Sequence, residues 1–263
     1  MKKYFKILKY EIKNSFQYLA NMLYNYIGFL IHIFIFLNLW KYIYSDPSSL
    51  IKGYTFYEMI WYVIITETIW SSIAGRKIIK DISKSVKSGD IVYNLTKPIN
   101  YILYNLFSHL GTIITKFIIY IIFAFITGYI FLGTFVNINI LSLFLVLVTI
   151  LLAMLISLFI MIIIGEIAFF IEDANPIYWI YSKVVLIFGT IFPLELFSEP
   201  VRNILKYSPV YVTTYGPAKL FVHFNYYEFA KLFGFQLVYI FILYLLALFI
   251  FKKGVRKLNV FGG

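Results

Sequence analysis

Residues 117–165, "FIIYIIFAFITGYIFLGTFVNINILSLFLVLVTILLAMLISLFIMIIIG", form the longest stretch of the chain without a charged side chain. A transmembrane helix needs about 20 mostly apolar residues, so this stretch is too long for one crossing and long enough for two. Within it, "LGTFVNIN" at 132–139 interrupts the apolar run with Gly133 and two asparagines, which favour a turn. The stretch therefore predicts a helical hairpin in a membrane, with spans at 112–132 and 140–170.

The composition extends this prediction to the whole chain. Of 263 residues, 62% are hydrophobic and only 13% are charged, about half of what soluble domains carry. A soluble protein of this size could not keep so much apolar surface away from water. The apolar segments are continuous, without the alternation that barrel strands show. We therefore expect an all-α integral membrane protein made of one transmembrane domain, residues 1–263.

Four further apolar segments bring the predicted number of transmembrane helices to six. The second predicted span contains Glu58 and Glu67, and the fifth contains Lys183 and approaches its far end at Pro193. The first contains Lys41 near its end, and the last contains no charged residue. The four spans lie at 22–44, 55–74, 177–197 and 232–251.

The distribution of Lys and Arg predicts the orientation of these spans. With the N-terminus inside, fifteen Lys and Arg residues fall in segments 1–21, 76–98 and 252–263, and four fall in the outer loops. Cytoplasmic loops of membrane proteins carry the excess of positive charge. We therefore expect a multi-pass protein of the plasma membrane with both termini in the cytosol.

The same charge distribution argues against other classes of function. The net charge of +11 is divided among loops, which indicates contact with anionic membrane lipid and no nucleic acid. The chain has no cysteine, no phosphate-binding P-loop and no HExxH sequence, and its three histidines lie on different segments. We therefore predict no catalytic residue, no metal site and no cofactor in this chain.

The N-terminal residues 1–20, beginning "MKKYFKILKYEIKNSF", predict an amphipathic helix and not a signal peptide, because no uninterrupted apolar core follows the lysines. Such a helix would lie at the inner membrane interface. It could be a simple lipid anchor or an elbow that supports a gate, and the sequence leaves both open.

Residues 76–98 form a basic cytosolic segment between the second and third predicted spans. Four apolar residues follow i, i+1, i+4 and i+8 spacing, which predicts one apolar stripe on a short helix with basic residues opposite. Gly89 is suited to a left-handed cap at the end of that helix. A stripe outside the bilayer would contact either lipid or a partner protein. Its members are Ile78, Ile79, Ile82 and Val86.

Residues 198–222 are predicted to lie on the outer side of the membrane, but they are mildly apolar. Ser198 is a candidate helix cap with Pro200 in the first turn, and a second short helix follows the break at Pro209. We expect a re-entrant pair of short helices that are buried in protein or line a cavity. The alternative is an ordinary extracellular loop.

Ionisable residues within the spans are a further signal, since they are costly there. Glu166 and Lys183 lie at similar depth from the same membrane face and could form an intramembrane pair. Alternatively, Lys183 extends to the headgroups while Glu166 is protonated or hydrated. Glu58 and Glu67 are nine residues apart and point to opposite faces of a helix, so one shared ion site is disfavoured.

The chain resembles the membrane subunit of type-2 ABC exporters, which have the type V exporter fold, and in particular their small six-span bacterial branch. The resemblance rests on "SVKSGDIVYNLTKPIN" at 85–100 and "GTIFPLELFSEPVRNILKYSPVYVTTYGPAKLF" at 189–221, supported by "GEIAFFIEDANPIYW" at 165–179. After the second span the branch shows a Gly-acidic pair and then a Leu-x-x-Pro-like element, matched by Gly89, Asp90, Leu95 and Pro98. It also shows prolines spaced through the outer segment.

The resemblance implies that segment 76–98 is a coupling helix seated on a separate ABC ATPase, which would bind the ATP and Mg. A second permease subunit, identical or related, would complete the pathway, and an amphipathic drug, peptide, lipid or glycolipid would be exported. An ion- or proton-coupled secondary transporter that uses Glu58, Glu67 or Glu166 is the alternative. The docking residues implied are Ile78, Ile79, Ile82, Val86, Gly89 and Asp90, and the gate residues are Pro193, Glu195, Pro200, Pro209 and Pro217.

Overall fold

The computed structural model describes residues 2–44, 46, 48–73, 75–96, 98–171 and 173–261, and in these ranges the fold is helical with one isolated β-bridge between Ile51 and Tyr54. Ala74 at the end of the second predicted span and Lys97 of the basic segment lie outside the described residues. The helices are α1 (Lys2–Phe16), α2 (Leu19–Ile43), α3 (Phe56–Ser72), α4 (Gly75–Lys87), α5 (Asp90–Thr96), α6 (Tyr101–Leu132), α7 (Ile140–Glu166), α8 (Asn175–Val185), α9 (Glu199–Leu205), α10 (Gly216–Val222) and α11 (Tyr226–Phe261).

Four helical segments in the described part of the chain are long and apolar enough to cross a membrane, and they contain α2, α6, α7 and α11. The segments predicted as second and fifth spans differ from these. α3 has only 17 residues, and α8 has 11 and continues into a π-helical turn at Leu186–Ile191. The fold is therefore that of an all-α membrane protein, and the six-crossing arrangement stays a prediction.

Two helices extend well beyond the predicted spans. α6 begins at Tyr101 instead of residue 112, because the side chain of Asn100 accepts the backbone N–H of Leu103 at 3.0 Å and caps the helix there. α11 runs from Tyr226 to Phe261, past both ends of the predicted span 232–251. Hydropathy detects the part of a helix that is apolar, and polar turns added at either end escape it.

The turn between α6 and α7 lies where the sequence predicts it. Gly133 ends α6 in a left-handed conformation, with φ of +68°, and its N–H bonds to the carbonyl of Tyr129. Asn139 then caps α7 by accepting the backbone N–H of Ser142 at 2.7 Å. These two capping contacts fix the helical hairpin.

α3 lies at the centre of the bundle. Residues 59–65, an uninterrupted run of apolar side chains, are each exposed by 1% or less, which a helix facing lipid on any side would not show. α3 contacts α2, α6 and α10, and Gly128 on α6 lets the Trp61 ring pack directly on its backbone. α7 packs along α11 and, near its end, along α4. These contacts form one continuous apolar core.

Candidate functional site

The apolar stripe of α4 is buried inside the chain. Ile78, Ile79 and Ile82 are each exposed by 1%, and Val86 by 5%, because α4 packs along α7 and the turn that follows it. The expectation that this stripe contacts lipid or a partner protein is therefore wrong. The helix and its stripe are present as predicted, but the partner of the stripe is α7 of the same chain.

Two glycines allow this close packing. A Cβ on Gly165 of α7 would lie 2.9 Å from Cβ of Ile82, and a Cβ on Gly75 would lie 2.8 Å from the sulfur of Met161. Separations this short are well inside van der Waals contact. Gly165 thus lets Ile82 lie on the backbone of α7, and Gly75 leaves room on α4 for the side chain of Met161.

The opposite face of α4 is exposed and basic. Lysines 80, 84 and 87 border a groove of about 370 Å³ that is closed on its other side by Asp173 and Asn175, at the start of α8. The backbone N–H of Asn175 holds the pKa of Asp173 below its usual range. One carboxylate therefore faces three lysines, and the groove is positively charged.

The corner between α4 and α5 exposes apolar side chains. Gly89 has φ of +77°, which turns the chain, and the Ser88 hydroxyl donates to the Asp90 carboxylate at 2.6 Å at the start of α5. Ile91 is fully buried, whereas Val92 is exposed by 58% and Tyr93 by 69%. The sequence does not predict the exposure of Val92 and Tyr93, because the seven residues of α5 are too few to show a periodic pattern. The side chain of Leu95, part of the Leu-x-x-Pro-like element, lies outside the described part of the structure.

α1 packs beside the start of α6. It packs along the first half of α6, where a Cβ on Gly111 would lie 2.7 Å from Cβ of Glu11. The Tyr4 hydroxyl accepts the backbone N–H of Asn100 at 2.9 Å, and the Lys3 ammonium donates to the Pro98 carbonyl. α1 is thus tied to protein, as an elbow helix would be, while Phe5, Tyr10 and Phe16 remain more than half exposed.

The predicted pair of Glu166 and Lys183 does not form. Glu166 is fully buried, and neither carboxyl oxygen has a hydrogen-bond partner in the described part of the chain. The Lys183 ammonium lies 5.6 Å from the centre of the Trp179 ring instead. The physical reason is rotation about the helix axis: equal depth places two residues at one level but does not turn them towards each other.

Each of the two glutamates of α3 contacts a histidine. Glu67 Oε1 lies 3.1 Å from His32 Nδ1 and accepts the Ser71 hydroxyl at 3.0 Å. Glu58 Oε1 lies 3.1 Å from His223 Nε2. The two carboxylates thus have separate partners, in agreement with their predicted placement on opposite faces of α3.

The outer segment is packed into the bundle. Pro193 and Pro217 are buried, Pro209 is half-buried and Pro200 is exposed in the first turn of α9. The π-helical turn Tyr211–Tyr215 and α10 are buried against α3 and α7. The segment therefore consists of short helices enclosed by protein, and its depth in a bilayer stays a prediction.

Two polar groups hold this segment in place. Glu195 accepts the hydroxyls of Tyr215 at 2.5 Å and Tyr54 at 3.3 Å, and it pairs with Lys219 at 2.9 Å. The second group is the fully buried amide of Gln236 on α11, which donates to the carbonyls of Thr149 and Val212, both at 2.9 Å. Gln236 thus joins α11, α7 and the outer segment, a role that its sequence position does not reveal.

Comparison with known proteins gives one informative match. A protein-family model described as an ABC-2 family transporter protein matches residues 29–262, which is most of the chain and includes α3 through α11. No curated protein matches the chain.

Proposed function

This chain belongs to the ABC-2 family of transporter proteins and is a membrane permease component, and we propose that a separate ATPase drives it to export an amphipathic substrate. The family match supports the transporter class, and no contact in the described residues favours the ion-coupled alternative. The observation that carries the coupling proposal is the exposed apolar corner between α4 and α5.

We propose that the corner, defined as residues 88–93, is the surface that docks on the ATPase. Outside a bilayer, exposed apolar side chains such as Val92 need a protein or lipid partner. The exposed lysines of α4 surround the corner and suit an acidic rim on the ATPase, because complementary charge guides docking and fixes its orientation. Gly89 and Asp90, which the family resemblance implies as docking residues, remain part of this proposed surface, because they form the turn that presents Val92.

The buried stripe of α4 then gains a mechanical role. Ile82 and its neighbours join α4 to α7 over most of the length of α4. Packed apolar contacts transmit displacement because protein interiors are dense and have little free volume. A push on the corner would therefore move α7, and with it α11, instead of bending α4 away from the bundle.

ATP and Mg would bind the partner ATPase, and hydrolysis would occur there. This chain would contribute binding surface and movement, and no catalytic group. Nucleotide-driven closure of two ATPases would displace the two corners and shift the pathway between inner and outer access.

A second permease subunit, identical or related, is supported by a polar face on α2. Asn21, Asn25 and His32 are exposed, and at 100° per residue they lie within about 40° of one another around the helix. Polar side chains facing hydrocarbon are costly, so this face should be covered by protein or line an aqueous pathway. A pathway between two subunits would do both.

An amphipathic substrate is supported by an apolar cavity of about 240 Å³ between α3, α6, α7 and α10, whose lining includes Ile65, Phe117, Phe125 and Phe221. The cavity suits a hydrocarbon chain or an aromatic group. The outer segment with Pro193, Glu195, Pro200, Pro209 and Pro217 would be the gate above it. We place the protein in the plasma membrane with both termini in the cytosol, because of its Lys and Arg distribution.

Co-purification tests the docking surface. The tagged chain is expressed with the genes that neighbour it, and Val92→Asp is compared with Val201→Asp, the same change at an exposed valine of α9. A Walker-motif ATPase should co-elute with the unaltered chain and with the α9 variant, and its yield should fall at least tenfold with Val92→Asp. If all three retain the ATPase equally, the docking surface is wrong.

A further inference from the structure

The cavity between α9, α10 and the start of α11 has an excess of positive charge that the proposed function does not use. Its volume is about 260 Å³. We propose that it binds a phosphate-type oxyanion. The charged side chains of its lining are Glu195, Arg202, Lys206, Lys219, Glu228 and Lys231.

Two of these six charges compensate each other. The Lys219 ammonium lies 2.9 Å from Oε1 of Glu195, and the same carboxylate accepts two tyrosine hydroxyls. Glu195 is therefore already satisfied within the chain. It offers little to a further cation, and Lys219 offers little to a further anion.

The other four charges do not balance. Arg202, Lys206 and Lys231 face the cavity with only the carboxylate of Glu228, and no ion pair joins any of them within the described residues. The cavity therefore carries two positive charges in excess. Like charges around an enclosed space raise the local concentration of counter-ions, since the low-dielectric walls concentrate the field.

Arg202 gives this excess a specific geometry. Its Nε atom is buried and has no hydrogen-bond partner in the described part of the chain. A buried N–H without an acceptor is costly, so an acceptor in the cavity would relieve it. Lys206 is the C-cap residue of α9 and follows Arg202 by one helical turn, which directs both side chains to the same side.

The chemistry of these donors selects the ligand. The planar guanidinium offers parallel N–H groups that match two oxygens of a phosphate or carboxylate, and the two lysines add mobile donors from α9 and α11. Three cations around one cavity suit the tetrahedral oxygens of a phosphate group better than the two oxygens of a planar carboxylate. A phosphate monoester or diester fits this description, whether it belongs to a lipid headgroup or to a free phosphorylated molecule.

The test measures binding of phosphate to the full chain in nanodiscs of phosphatidylcholine. In the first arm, inorganic phosphate replaces chloride at equal ionic strength, and the thermal unfolding temperature is followed against phosphate concentration. In the second arm, chloride buffer is kept and phosphatidylglycerol replaces part of the phosphatidylcholine. The first arm detects binding of a free phosphate, and the second detects binding of a lipid headgroup.

The variants are Arg202→Gln, Arg202→Lys, and Lys253→Gln as a control with the same change in charge at the far end of α11. We expect stabilisation of the unaltered chain in at least one arm. Arg202→Gln should weaken the apparent affinity at least tenfold, Arg202→Lys should weaken it several-fold, and the control should leave it unchanged. Should Arg202→Gln fail to fold, Lys206→Gln takes its place, with a several-fold loss expected.

The proposal is overturned if neither arm stabilises the unaltered chain, or if the variants in the cavity respond as the control does. Neither result bears on ATPase docking, because residues 88–93 and Val92 in particular are not part of the cavity. Failure of this proposal and failure of the proposed function are therefore distinguishable.

Discussion

The side chain of Ile82 lies directly on the backbone of Gly165, so that a methyl group added to Gly165 would come within 2.9 Å of Cβ of Ile82. This contact joins the short helix of the predicted coupling segment to one of the long apolar helices. Because Cβ of Ile82 is fixed to its own backbone, no rotation of the side chain could relieve the clash.

The first prediction concerns Gly165→Ala. The added methyl group should separate α4 from α7 and cost about 1–3 kcal/mol, as overpacked cores do. This loss should exceed the gain of about 1 kcal/mol that Gly→Ala normally brings to a helix. Thermal unfolding in detergent measures the sum, and substrate export measures the coupling.

Gly234→Ala is the matched control, since Gly234 is also helical but nothing lies within 4 Å of an added Cβ. It should be neutral or slightly stabilising. If both substitutions behaved alike, the close contact between α4 and α7 would not be important for stability.

The second prediction separates the buried stripe from the exposed corner. Ile82→Ala should destabilise the protein by about 2–5 kcal/mol, because it leaves a cavity in a packed contact. Val92→Ala should change stability by no more than about 0.5 kcal/mol, as at most surface sites. Unfolding temperature and the yield of co-purified ATPase are measured for both variants.

Val92→Ala should lower the ATPase yield of a folded protein, and Ile82→Ala should lower the amount of folded protein itself. The reverse assignment, a stable Ile82 variant that has lost its ATPase, would restore the stripe as the docking surface.

The sequence predicts α4 and its stripe correctly but not the surface that the stripe covers. The spacing of Ile78, Ile79, Ile82 and Val86 defines one face of a helix, and it carries no information on which element lies opposite. That element, around Gly165, is about 80 residues away in sequence. The exposed corner could not be predicted from sequence, because α5 is too short to show any period.

The charged residues of the predicted spans show a second limit of prediction from sequence. The rise per residue places Glu166 and Lys183 at the same depth, but their contact depends on how the two helices are rotated. In the structure Lys183 lies over Trp179, and Glu166 is fully buried without a hydrogen-bond partner among the described residues. The turn at Gly133, by contrast, was predictable, because a glycine after an apolar run has a local reason to end a helix.

The third prediction follows from the unpaired carboxyl of Glu166. Replacing a buried polar group that has no partner by an apolar group of similar length removes a desolvation penalty of about 1–3 kcal/mol. Glu166→Met should therefore raise the unfolding temperature, by roughly 2–4 °C per kcal/mol for a domain of this size.

Glu58→Met is the control for this prediction. The Glu58 carboxylate accepts the backbone N–H of Thr55 at 2.8 Å in the capping box that begins α3, so its loss should cost about 1 kcal/mol. A fall in stability with Glu166→Met similar to that with Glu58→Met would show that Glu166 has a partner after all.

The fourth prediction concerns the buried amide of Gln236. Gln236→Leu removes both hydrogen bonds to the carbonyls of Thr149 and Val212, and each such bond between membrane helices contributes about 0.6 kcal/mol. We expect a loss of about 1 kcal/mol, measured by thermal unfolding. Gln17→Leu, in the exposed turn after α1, should leave stability unchanged. Equal effects at the two sites would contradict the role of Gln236 in joining α11 to the outer segment.

Crosslinking tests most directly whether the corner at residues 88–93 touches a separate ATPase. The chain has no cysteine, so a single Val92→Cys substitution gives one site for a photoactivated thiol-linked crosslinker. Crosslinking in membranes that contain the neighbouring gene products should join Val92→Cys, and not Val201→Cys, to a nucleotide-hydrolysing protein. Crosslinks from position 92 to lipid alone, or equal crosslinking from both positions, would contradict the claim.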